Sequence, residues 1–337
     1  MNNSYAFIAF TGSPVTFADL VGLPFLILMG ITELVLNLIV LVALRSSQED
    51  ASNSFIVNLA MADALTGLIV IYNSVYTMLE WKDVHECLFR FGLLIGVNMA
   101  SVLSIMLLTV DRYVKIKDPF RHKRLFTSKR VTLLNTSVWV LSLTVAILPV
   151  AGWNRSQEVK KTCKFFTVFS TSYLGTVVVI FVIPLVAIVT LYPQIYVLAR
   201  KHAMAIHAQL CRTNSGNTPR STLRFAKTVG IIIGMYILCW APVGTYLLLV
   251  LLDRPLVEET GVDLGAVLTY TAGVGFLNSL INPLVYAIKI PAVGRVFRRV
   301  CCCCCCSWSD PAPSARHSVY TLASVGLIPL RPDDARC

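Results

Sequence analysis

Ala100-Ser101-Val102-Leu103-Ser104-Ile105-Met106-Leu107 runs, apolar almost throughout, into Asp111-Arg112-Tyr113. A second long apolar run ends in Asn282-Pro283-Leu284-Val285-Tyr286. Charges at membrane depth are expensive and mark function, and a proline inside a spanning helix frees backbone groups that need other partners. Outward from these two runs, five more stretches have the same character. The expected spans are roughly 20–45, 54–79, 88–113, 131–151, 171–199, 226–252 and 264–288, since about 20 apolar residues cross the hydrocarbon. The chain has 337 residues, 56% hydrophobic and 14% charged, with a mean hydropathy of +0.70. A soluble domain cannot hide that much apolar surface. The fold class is therefore an all-α membrane protein, a seven-transmembrane helix bundle with a short amphipathic eighth helix. That last element follows Pro291: Val293, Val296, Phe297 and Val300 share one face at helical spacing, and Arg295, Arg298 and Arg299 the other.

The net charge of +11 is uneven. Basic residues crowd the connections after spans three, five and seven (Lys115 to Arg130, Arg200 to Lys227, Lys289 to Arg299), while acids such as Glu80, Asp83, Glu86, Asp253, Glu258, Glu259 and Asp263 lie on the opposite side. The positive-inside rule puts the N-terminus outside and the C-terminus inside, with Lys160, Lys161 and Lys164 a local exception. Basic charge placed this way marks membrane topology and excludes a nucleic-acid partner. The expected organisation is an extracellular tail over 1–19, a seven-span domain over 20–290, an amphipathic helix over 291–300, and a cysteine-rich, disordered cytoplasmic tail over 301–337. The first residues carry no basic start or cleavage-like site, so span one is expected to serve as signal anchor. Cys87 and Cys163 both face the oxidising side, and a disulfide is the natural reading. Cys301, Cys302, Cys303, Cys304, Cys305 and Cys306 form an unbroken juxtamembrane run, the usual setting for palmitoylation. Asn2 and Asn154 head outward-facing glycosylation sequons. A transporter or channel would show repeat symmetry, and none is evident. A nucleophile–base set or metal-binding histidine cluster is likewise missing, so an enzyme is not expected.

In span two, Asn58-Leu59-Ala60-Met61-Ala62-Asp63 places Asp63 near mid-membrane. Asn37, Ser101, Asn278, Ser279 and Asn282 add polar atoms from spans one, three and seven. Taken with Cys239-Trp240-Ala241-Pro242 on span six, these motifs resemble the rhodopsin-like G protein-coupled receptors over residues of roughly 20–300. The resemblance implies that Asp63, Ser101, Asn278, Ser279 and Asn282 surround an allosteric sodium ion, the sole cofactor expected. A carboxylate with hydroxyl and amide oxygens suits a hard cation, although a proton- and water-filled polar network would use the same residues. It also implies that Arg112 pairs with Asp111 at rest and meets the G protein when active, beside Tyr113. Tyr192 and Tyr286 would then close over it, Pro242 would kink span six above Trp240, and Pro283 would shape span seven. Phe120, after Pro119, matches the position that plugs a hydrophobic hollow on the Gα subunit. Departures are Thr222 in place of an acidic partner for Arg112, Tyr236 in place of Phe, and Val102 in place of Ile. Expected partners are a heterotrimeric G protein, of the stimulatory class raising cAMP, with arrestin and receptor kinases at the tail.

The ligand class is read by elimination within the family. Leu94 stands where amine receptors carry Asp, Phe276 where opsins carry the Schiff-base Lys, and Leu247 where adenosine receptors carry Asn. The implied lining is Phe91, Leu94, Ile95, Asn98, Phe165, Trp240, Val243, Leu247, Ala272 and Phe276, with Met99, Val177 and Leu268. Such a lining suits a lipid-like agonist, an N-acyl amide or a lysolipid. Arg90 would meet its headgroup, or else snorkel at the outer interface. Gly152-Trp153-Asn154 and Ala226-Lys227-Thr228-Val229 resemble the melanocortin, lysophospholipid, cannabinoid and adenosine receptors as a cluster. A nucleoside or peptide ligand on the same fold is the alternative, and a transporter or channel the remote one.

Overall fold

The computed structural model describes residues 17–45, 51–79, 83–155, 163, 165–212, 220–253, 259 and 264–304. The described helices are α1 (Phe17–Leu44), α2 (Ala51–Met78), α3 (Val84–Lys117), α4 (Pro119–Leu125), α5 (Ser128–Ile147), α6 (Phe165–Val168), α7 (Thr171–Arg212), α8 (Arg220–Leu252), α9 (Leu264–Lys289) and α10 (Pro291–Cys304). Seven of them (α1, α2, α3, α5, α7, α8 and α9) are long and apolar enough to cross a membrane. They form a ring in chain order: α1 packs on α2, α2 on α3, α7 on α8, α8 on α9, and α9 back on α1. Helix α3 is the inner post, touching α2, α5 and α7. Helix α10 lies across α1 and α9. The bundle's outer surface is apolar: Leu28, Val42, Leu133, Val140, Val179, Leu252 and Ile288 are all exposed. This is the inverse of a soluble protein, and it fits a multi-pass membrane chain.

Several boundaries differ from the sequence expectation for local reasons. Helix α3 starts four residues early because Asp83 caps it, its carboxylate accepting the Glu86 amide at 2.8 Å. Helix α7 runs on to Arg212, since the breakers Gly216 and Pro219 lie beyond it. The connection after α3 is helical. Asp118 caps α4, its side chain accepting from the Arg121 amide at 2.9 Å, and Pro119 sits at the helix start.

Small residues set the closest helix approaches. A Cβ on Gly67 would meet the Gly30 carbonyl oxygen at 2.5 Å and Glu33 Cβ at 2.9 Å, so α1 and α2 touch backbone to backbone. On α3, a Cβ on Gly96 would meet Ala146 Cβ at 2.7 Å on α5. Gly67→Ala is expected to cost about 1–3 kcal/mol, because the carbonyl it meets belongs to a helix and cannot swing aside. Thermal unfolding of the detergent-solubilised chain checks this, and an unchanged midpoint would contradict the packing. Cys87 and Cys163 are joined in a disulfide with Cα atoms 5.9 Å apart, tying the first turn of α3 to the segment before α6.

Candidate functional site

The polar residues of four helices converge at mid-bundle. Asp63 on α2 is fully buried. Its Oδ1 accepts from Ser101 Oγ of α3 at 2.7 Å and from Ser279 Oγ of α9 at 3.0 Å, and its Oδ2 accepts from Asn282 Nδ2 at 2.9 Å. Asn37 Nδ2 on α1 donates to the Ser279 carbonyl at 3.1 Å and to the Glu33 carbonyl at 2.9 Å. Four of these hydrogen bonds run between helices and bring α1, α2, α3 and α9 to one point. The amide oxygens of Asn37, Asn278 and Asn282 are buried and have no hydrogen-bond partner among the described residues. An all-oxygen set with one carboxylate is the donor chemistry that hard cations take.

One turn deeper, a second network ties α2 to α3 and α5. Asn58 Nδ2 donates to Ser104 Oγ at 2.8 Å, and Trp139 Nε1 donates to Asn58 Oδ1 at 2.8 Å. Asn58 stands in the same motif as Asp63, five residues before it, but only the fold reveals Trp139 as its partner.

At the Arg112 end, Asp111 is fully buried and has three partners. Ser52 Oγ donates to Oδ2 at 2.6 Å, His122 Nε2 lies 2.7 Å from Oδ1, and Arg112 Nε is 3.8 Å from Oδ2. His122 is itself buried on α4 and packs on Phe126, ring centroids 4.9 Å apart. The sequence pattern points to neither His122 nor Ser52 as a partner of Asp111. The local signal was the Asp118-Pro119 cap, which starts a helix that turns residue 122 toward α3. Phe120 on the same short helix is 83% exposed. Tyr113 receives a hydrogen bond at its hydroxyl from Lys117 Nζ at 3.0 Å. One apolar cluster collects Val102, Ile105, Ile188, Tyr236 and Tyr286, with Tyr192 and Trp240 packed against it. Of the residues named from the sequence, Tyr192, Trp240 and Tyr286 thus share one cluster with Val102 and Tyr236. Pro242 and Pro283 lie inside α8 and α9, and Trp240 packs 6.0 Å from Phe181 between ring centroids. The Thr222 side chain lies outside the described residues.

At the disulfide end, aromatic rings cluster beneath Cys163. Phe91 meets Phe165 edge-on at 5.6 Å, Phe165 meets Phe169 at 4.9 Å, and Phe166 meets Tyr246 at 6.2 Å between ring centroids. Ile95, Met99, Val177, Trp240, Val243, Leu247, Leu268 and Ala272 belong to the same cluster as Phe91 and Phe165. Leu94 and Phe276 sit in an adjoining cluster with Leu26, Met29 and Val70, and Ala272 packs against both. Asn98 is buried and spends an amide hydrogen on the Leu94 carbonyl at 2.7 Å. Arg90 is buried among protein groups: NH1 donates to the Asn73 carbonyl at 3.2 Å and to Thr77 Oγ1 at 3.5 Å, and NH2 to Cys163 Sγ at 3.1 Å. Its Nε is 3.4 Å from Glu86 Oε1, and the guanidinium lies over Phe91, 5.4 Å from the ring centroid. The arginine thus braces α2 against α3 and the disulfide. Asn154 is half-buried, its Nδ2 donating to the Pro149 carbonyl at 2.7 Å. Asn2, Cys305 and Cys306, and the side chains of Cys301, Cys302, Cys303 and Cys304, lie outside the described residues.

The sequence pattern of the family described as 7 transmembrane receptor (rhodopsin family) matches residues 36–286. Among individual relatives, the adenosine receptor A2b of Gallus gallus is 28% identical over 286 residues, covering 77% of this chain and 81% of the relative. The adenosine receptor A2a of Homo sapiens is 27% identical over 308 residues, covering 84% and 72%. The adenosine receptor A3 of Ovis aries is 28% identical over 280 residues, covering 78% and 84%.

Proposed function

The chain belongs to the rhodopsin family of seven-transmembrane receptors, and on that premise we propose that it is a plasma-membrane receptor for a small extracellular molecule. The ligand enters at the disulfide end, and a heterotrimeric G protein, of the stimulatory class raising cAMP, engages the Arg112 end. The observation that carries this reading is the joining of the two ends through Trp240, which packs against both the aromatic cluster under Cys163 and the cluster holding Tyr286. A ligand that repacks the first cluster thereby acts on the second. Membership in a receptor family also sets the chain apart from enzymes.

For the ligand itself, a nucleoside takes precedence over the lipid expected from the sequence. The support is that relatives spanning most of this chain are named adenosine receptors. A second reading, an N-acyl amide or lysolipid, is favoured by the apolar lining, with Leu247 where adenosine receptors carry Asn, and by stretches such as Cys87-Leu88-Phe89-Arg90-Phe91 that resemble the glucose-dependent insulinotropic receptor. Cells expressing the chain should raise cAMP with adenosine, and Leu247→Asn should improve its potency by about three- to tenfold, the worth of one added hydrogen bond. A response to N-acyl ethanolamines or lysophosphatidylcholine, with none to adenosine in either variant, would transfer the assignment to lipids.

In the same proposal Asp63, Ser101, Asn278, Ser279 and Asn282 hold an allosteric sodium ion, which when bound balances the Asp63 charge. The tail beyond α10 serves arrestin and receptor kinases, and acyl chains on the run from Cys301 to Cys306 pin α10 to the membrane.

A further inference from the structure

Glu33 lies one helical turn before Asn37, on the same face of α1, and is fully buried. Neither of its carboxylate oxygens has a hydrogen-bond partner among the described residues. Asp63 and Gly67 repeat that spacing on α2, and the missing side chain of Gly67 is what admits Glu33: a Cβ there would stand 2.9 Å from Glu33 Cβ. Two carboxylates therefore share one buried space, and among the described residues no ion pair reaches either of them. Like charges in a dry interior repel, and a buried charge without a partner is costly. The unpartnered amide oxygens of Asn37, Asn278 and Asn282 lie in the same region, so the atoms awaiting a partner are all oxygens.

We propose that Glu33 is the second carboxylate of the buried cation site centred on Asp63, and that the pair makes it a site for a hard divalent cation, calcium or magnesium. The proposal rests on Asp63 being a cation site. It adds the charge arithmetic: one carboxylate balances sodium, whereas two balance a divalent ion, and amide and hydroxyl oxygens complete the six to eight ligands that calcium takes.

The test is thermal unfolding of the full chain in detergent, with choline chloride holding ionic strength constant while NaCl, CaCl2 or MgCl2 is titrated. Wild type is expected to be stabilised by CaCl2 or MgCl2 at concentrations where NaCl has no effect. Glu33→Gln should need at least tenfold more divalent ion for the same shift while keeping its response to NaCl. Asp63→Asn should lose both responses. A divalent response unchanged in Glu33→Gln overturns the role of Glu33. A wild type that answers to NaCl alone overturns the divalent assignment and leaves the sodium reading standing. No response to any salt overturns both. Should Asp63→Asn fail to fold, wild type and Glu33→Gln still decide the matter.

Discussion

His122→Ala is expected to raise ligand-independent signalling about tenfold or more. His122 Nε2 stands 2.7 Å from Asp111 Oδ1 in a buried setting, whereas the Arg112 contact to the same carboxylate is long, at 3.8 Å. An ionised carboxylate only accepts hydrogen bonds, so the imidazole nitrogen carries the proton between them. On the proposed reading, in which Arg112 pairs with Asp111 at rest, a contact made there and lost on activation biases the two-state balance toward rest. A hydrogen bond to a charged group contributes about 1.5–3 kcal/mol, which corresponds to at least a tenfold change in that balance. With alanine at 122 the buried carboxylate loses its partner at Oδ1, and Ser52, already bound to Oδ2, does not replace it. His122→Gln keeps a donor and should stay near wild type. Basal cAMP normalised to surface level is the readout, and equal basal signal in wild type and His122→Ala would mean that the contact survives activation.

Phe120→Ala is expected to weaken G protein engagement by about ten- to a hundredfold with surface level unchanged. Phe120 is 83% exposed, so truncating it removes little internal packing. Yet it is held on a defined helix, capped by Asp118 and latched to α3 through His122 two residues on. A large apolar side chain displayed on a rigid mount is arranged to be covered. Burying a phenylalanine is worth about 1.5–3 kcal/mol, which gives the expected range. Nucleotide exchange on purified G protein, titrated against solubilised receptor, measures the change. An unaltered titration would remove Phe120 from the contact.

The two predictions draw on unequal amounts of what the chain alone reveals. Apolar length by itself delivers seven spans, whereas the grouping of Asp63 with Ser101, Ser279 and Asn282 came from the resemblance to the receptor family; the hydrogen bonds among them are what the fold adds. His122 was hidden in a basic run, Arg121 to Arg124, where composition favours solvent. Its burial depends on the rotation of α4 against α3, which no single-helix pattern encodes. Arg90 illustrates the same limit. Its register in the second turn of α3 was plain, but whether it faces α2 or the cavity depends on how two helices turn against each other. The structure surrounds it with Asn73, Thr77, Glu86 and Cys163. The single turn of α6 is too short for any periodicity, so the rings of Phe166 and Phe169 entered only with the fold.

The backbone contact between Gly30 and Gly67 has a mechanical corollary. Where main chains touch there is no side chain to repack, so α1 and α2 can shift only by separating altogether. The Gly96 contact and the Asn58–Ser104–Trp139 bonds extend that stiffness to α3 and α5. Helices α7 and α8 carry Pro184, Pro193 and Pro242 well inside their lengths, each deleting a rung of the main-chain ladder, whereas the internal proline of α1, Pro24, lies two turns from its start and before Gly30. On the proposed receptor reading, the closely packed α1, α2, α3 and α5 act as a stator, and α7 and α8 are the arm through which a ligand's work is delivered.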